Sequence, residues 1–153
     1  MRLYTVLAVF AVVVLATTAA TPSLAPRWPT PALDYWIAAS EALTQLDGVA
    51  LGLFQDIDFE TLKADAENTL DILNELDPPP ALLATHAQLR YATAVCWQAA
   101  DFSIELQKDS SGAVFAIAPL TTMRLECARS VKDARVEASR YAATVGGFPD
   151  ANN

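Results

Sequence analysis

The chain has 153 residues, 18 acidic against 10 basic side chains, a formal net charge of −8 and an apolar content of 53%. That is enough for one domain with a real core, and too little for several. The negative balance argues against nucleic-acid binding, which rests mainly on neutralisation by Lys and Arg, and against docking on an anionic membrane surface.

The first element is a run of fourteen uncharged, almost wholly apolar residues from Leu3 to Ala16, preceded by the single base Arg2. A short positive start, an apolar stretch of this length and then small residues predict a secretory signal peptide over residues 1–20. Thr18 and Ala20 hold the −3 and −1 positions of a cut after Ala20. The alternative is an uncleaved anchor, because residues 3–20 approach the length of about 20 that a membrane helix needs. Cleavage is favoured because the strongly apolar part stops at Ala16. No cysteine lies near the segment to accept a lipid. The expected location is therefore secreted or periplasmic, or membrane-anchored outside the cytoplasm if the segment stays. Cutting after Ala20 leaves 133 residues, with nine basic against eighteen acidic side chains, a net charge of −9.

Residues 21–30 read as a linker, with Pro22, Pro26 and Pro29 and no amphipathic period; Trp28 within it is expected to pack back on the domain. Thr30 is the expected N-cap of the first helix, with Pro31 at the first helical position, where its missing N–H costs nothing. Asp34 suits the positive end of the helix dipole. Leu33, Trp36, Ile37, Ser40, Leu43 and Leu46 follow at helical spacing and form the expected inner stripe. Gly48 and Gly52 fall on the side of Asp34 and Glu41 and are expected to be exposed weak points, a tight helix contact being the alternative.

Asp58 is a good N-cap for a second helix, with apolar positions Phe59, Leu62, Ala66, Leu70, Leu73 and Leu76. Asp77-Pro78-Pro79-Pro80 ends it, since successive prolines remove donors and force extended geometry. Pro80 then opens a third helix running to about Lys108. Its narrow polar side is Arg90, Asp101, Glu105 and Lys108. Most of the rest is apolar or small, which predicts a central place in the packing. Asp109-Ser110-Ser111-Gly112 is a turn signal. The fourth helix has the cleanest stripe: Leu120, Met123, Cys127, Val131, Ala134, Ala138, Tyr141 and Val145. A proline inside a helix costs about 3 kcal/mol, so Pro119 predicts a start near Ala118 or a bend. Gly146-Gly147 ends the element, and residues 148–153 read as a loose tail. Four amphipathic helices on short connections predict an all-α, up-down-up-down antiparallel four-helix bundle over residues 31–147.

Cys96 and Cys127 both fall on apolar seams. An antiparallel hairpin centred between residues 111 and 114 brings Cys127 within about a turn of the place facing Cys96. In an oxidising compartment this predicts a disulfide that staples the hairpin. The spacing is not Cys-x-x-Cys, so a redox role is not expected.

Motifs for chemistry are missing. His86 is the single histidine and reads as a hydrogen-bonded boundary residue. No Glu-x-x-His occurs for a di-iron site, and a hairpin mirror of His86 lands far from Met123, which argues against a haem between them. Asp56, Asp58, Glu60 and Glu67 match places in a calcium loop, but Thr61 stands where the loop needs glycine, so an acidic helix start explains them better. There is no nucleophile elbow and no phosphate-cradling glycine loop. Neither a catalytic residue, a metal nor a cofactor is therefore expected.

Eleven acids and one base, Lys63, occupy residues 31–77, whereas five bases and three acids occupy residues 118–145. The simpler reading lays the basic last helix beside the acidic earlier ones; the other offers an acidic face to a cationic protein partner. The leading functional expectation is a non-catalytic, extracytoplasmic interaction module that works through its acidic first half or a groove beside the third helix. A small-ligand or cofactor bundle lined by Trp36, His86 and Trp97 is the alternative. An enzyme using His86 is the remaining one.

Overall fold

The computed structural model describes residues 28–55, 58–108 and 113–149. The expected signal segment and its cut after Ala20, linker residues 21–27, the 109–112 turn and the end from 150 lie outside the described residues. The described residues form four helices: α1 (Thr30–Phe54), α2 (Phe59–Glu75), α3 (Leu83–Lys108) and α4 (Ala113–Thr144). A 3-10 turn, Pro80–Leu82, leads into α3.

Side-chain partners give the topology. Gly52 lies against Leu62 and Gln45 bonds Thr69, so seven residues back along α1 match seven forward along α2. Lys63 meets Asp101, and Glu67 meets Trp97, which makes α2 and α3 antiparallel. Cys96–Cys127 joins α3 to α4, Asp47–Arg135 joins α1 to α4, and Trp36–Phe148 ties α1 to the segment after α4. The chain is therefore an up-down-up-down antiparallel bundle, as its periodicity predicts. The α3–α4 contact is the most extensive and α1–α4 the lightest of the four neighbouring pairs. Helix α1 also reaches α3 across one diagonal; the other diagonal, α2 to α4, is wider.

The core runs through all four helices. Leu46 and Leu53 of α1, Leu73 of α2, Leu82 and Leu89 are fully buried. Truncating any of these leucines to alanine would cost about 2–5 kcal/mol. Buried alanines, among them Ala39, Ala42, Ala92, Ala99, Ala134 and Ala138, let the helices approach closely. At the staple the two cysteine Cα atoms are 4.7 Å apart, and both residues are fully buried.

Several local expectations change. The cap of α1 is Pro29, not Thr30: its extended backbone (φ −59, ψ 141) turns a carbonyl onto Ala32 and Leu33 N–H, both at 2.9 Å. Thr30 and Pro31 are both inside the first turn, where N–H groups lack intrahelical partners anyway. Ile37 is 61% exposed rather than part of the inner stripe, which follows Ala32, Trp36, Ala39, Leu43, Leu46, Ala50 and Leu53. Gly48 is open, but Gly52 is buried, and a Cβ there would stand 2.6 Å from Leu62 Cδ2. The tight contact is therefore real at Gly52. Helix α4 runs through Pro119 from Ala113 instead of starting near Ala118. Pro119 is exposed and removes one bond near the helix start; the long packed stretch beyond it carries the element. Asp58 caps α2 as expected, with Oδ1 accepting Glu60 N–H at 3.1 Å and Oδ2 the Thr61 hydroxyl at 2.8 Å. Gly146 and Gly147 both have positive φ, and Gly147 N–H closes on the Ala142 carbonyl at 2.8 Å, a Schellman-type stop.

Candidate functional site

The three side chains expected to line a pocket sit in three different settings. Trp36 belongs to an aromatic group that closes one end of the bundle. Phe148 stacks on it at 5.1 Å, and Trp28 packs beside it at 5.7 Å and edge-on to Tyr141 at 4.9 Å. The Trp28 indole N–H donates to the Gly147 carbonyl at 2.8 Å. Thus Trp28 does pack back, and Phe148, expected in a loose tail, is a member of the packed end.

His86 is half-buried on α3, and its Nδ1 is hydrogen-bonded to the Tyr35 hydroxyl at 3.1 Å. Burial, and then the Arg90 charge, hold the imidazole below its usual range. Burial pushes the Tyr35 phenol up to about 12. The pair is therefore a neutral hydrogen-bonded couple at neutral pH. Tyr35 and Trp36 are consecutive but turn to different neighbours, the one to α3 and the other to the terminal aromatic group.

Trp97 faces α2. Its indole N–H donates to Glu67 at 2.8 Å, and the Lys63 ammonium lies 4.9 Å above the ring. Lys63 also donates to Asp101 at 2.7 Å, the main reason its pKa is raised. Eleven residues separate Trp97 from His86 on one helix, about 16 Å along the axis. The structure does not bring Trp36, His86 and Trp97 together.

The basic α4 does lie beside one of the acidic earlier helices, α1. It reaches an acid of the first half at Asp47, which Arg135 grips. Arg124 of the same helix reaches the start of α2, 5.2 Å over the Phe59 ring. Glu60 instead meets Lys108 of α3 at 3.4 Å, and Glu67 meets Trp97. Asp65, Asp71 and Glu75 are exposed along α2, with no ion pair among the described residues. Of the residues that match a calcium loop, Asp58 is occupied in capping α2. Among the described residues no group of three or more His, Cys, Asp or Glu side chains is placed to hold a metal ion. No helix among them is long and apolar enough to cross a membrane.

A cleft of about 310 Å³ opens between α1 and α4. Ala50, Leu51, Phe54, Ala128 and Val131 form its apolar walls, with Asp47, Lys132 and Arg135 as charged members. The sequence reading passed over it. The available signal was an apolar set on α1 too wide for one core: Ile37 and Leu51 lie on another side of the helix than Leu43, Leu46 and Leu53. No family model, curated protein or solved structure matches the chain.

Proposed function

We propose that this protein is a secreted or periplasmic, non-catalytic interaction module that receives a cationic protein partner on the acidic side of α2. The observation that carries the reading is the separation of charge across the wide diagonal of the bundle. Asp65, Asp71 and Glu75 face solvent while α4 packs mainly on α3 and α1, with Arg124 reaching only the start of α2, over the Phe59 ring. The antiparallel order leaves these acids available, where they attract a positive surface and set its orientation. The buried staple and the apolar leader support the extracytoplasmic placement. His86 in its neutral couple with Tyr35 supports a structural role for the one histidine.

The test is capture from the extracytoplasmic fraction of the natural host. Immobilised protein is expected to retain a basic protein that moderate salt releases. The variant with Asp65→Asn, Asp71→Asn and Glu75→Gln is expected to lose most of it. Equal capture by both proteins, insensitive to salt, would sink the proposal.

A further inference from the structure

Exposed apolar side chains gather on one face of the molecule. Ile37, Leu51 and Phe54 of α1 and Leu125 and Val136 of α4 are 61%, 59%, 46%, 57% and 43% exposed. At 100° per residue, these positions fall on the outer side of the α1–α4 seam that Asp47–Arg135 and the 310 Å³ cleft mark. In the register set by Asp47 opposite Arg135, they cover about 20 residues of helix, roughly 30 Å. Two helices give a width of roughly 20 Å, hence a flat area on the order of 600 Å² before relief is counted. That is short of the roughly 800 Å² per partner of a standard interface and lies at the upper end of the roughly 300–600 Å² of the largest patch on a monomer, a size that is often functional.

We infer that this face is the interface with a second copy of the chain. Charge selects that occupant. With a net charge of −8, two copies repel one another on most approaches. The acid within this face, Asp47, is tied to Arg135, and Lys132 beside it is exposed and makes no ion pair among the described residues. The face therefore carries no net negative charge. It is also self-complementary. A twofold axis parallel to the helices lays α1 against the α4 of the second copy, antiparallel, repeating the alternation inside one bundle. Lys132 is three residues from Arg135, less than one turn, so each Lys132 comes to the level of Asp47 in the other copy. Leu51 and Phe54 of each copy then cover the cleft of the other.

Sedimentation equilibrium of the naturally processed protein, from low to high micromolar concentration, tests this. A dimer that dissociates on dilution is expected. Leu51→Glu and Phe54→Glu should each raise the dissociation constant at least tenfold with helical content unchanged, since both side chains are exposed. Leu83→Glu, exposed on α3 and off this face, should leave the dimer intact. A monomer throughout, a mass above the dimer, a dimer indifferent to both α1 substitutions, or one broken equally by Leu83→Glu would each overturn the inference. Acid substitutions on α2 do not enter this readout, so its failure is separate from failure of the cationic-partner reading.

Discussion

The Tyr35–His86 couple shows how one buried contact becomes a pH dependence. Burial, and then Arg90, lower the His86 pKa from its usual value near 6.5. The folded chain thus takes up this proton less readily than the unfolded chain. As pH falls through about 6.5, the unfolded state gains a proton that the native state refuses, and stability declines. The decline ends once the native imidazole is protonated too. An NMR titration of His86 is expected to give a midpoint below 6.5, and His86→Gln should flatten this part of the stability profile. Arg90→Gln should move the midpoint up only partway, because burial is the larger cause. A midpoint at or above 6.5 would contradict the account. The staple makes a second residue-scale prediction. Cys96–Cys127 closes a separation of 31 residues, which in the chain-entropy model contributes roughly 3–4 kcal/mol. Urea unfolding with and without reductant should differ by about that much.

At the scale of the helix, the two glycines of α1 give opposite expectations from one substitution. Gly48 has open space where a Cβ would stand, so Gly48→Ala should stabilise α1 by about 0.5–1 kcal/mol. At Gly52 the new methyl would press into Leu62, which is itself buried and has little room to swing. Gly52→Ala should therefore destabilise by about 1–3 kcal/mol in spite of the better helix propensity. Matched urea titrations of the two variants decide this, and a gain at Gly52 would mean that α1 and α2 are farther apart. The same element marks the boundary of what could be read from sequence. The four helices, the Asp58 cap, the triple-proline break, the Gly146-Gly147 stop and the facing cysteines rest on local chemistry or on a strict period, and these were legible. Which side of α1 meets which neighbour was not: its apolar residues cover more than one stripe, and only the packed partners separate Leu43 and Leu46 from Ile37. Phe148 was missed because its partner, Trp36, is far away in sequence. The cap at Pro29 was missed because Thr30 offered a better side chain at a place where the backbone had already turned.

At the scale of the molecule, the antiparallel order explains the distribution of surfaces. Neighbouring helices in sequence are neighbours in space, so the acidic second and the basic fourth helix fall on opposite corners. Of the two readings that segregated charge allowed, internal neutralisation is realised at Asp47–Arg135 and leaves the outer side of α2 uncompensated. The candidate surfaces were correspondingly half legible: the acidic side followed from composition, whereas the apolar α1–α4 face required the register between two helices ninety residues apart. Every functional step rests on the chain reaching an oxidising compartment and closing its staple there. Intact mass of protein made by its own host, measured before and after reduction, tests that most directly. The account predicts a chain beginning at Thr21 that gains two hydrogens on reduction. A chain that still begins at Met1, with both thiols free and no mass change, would contradict it.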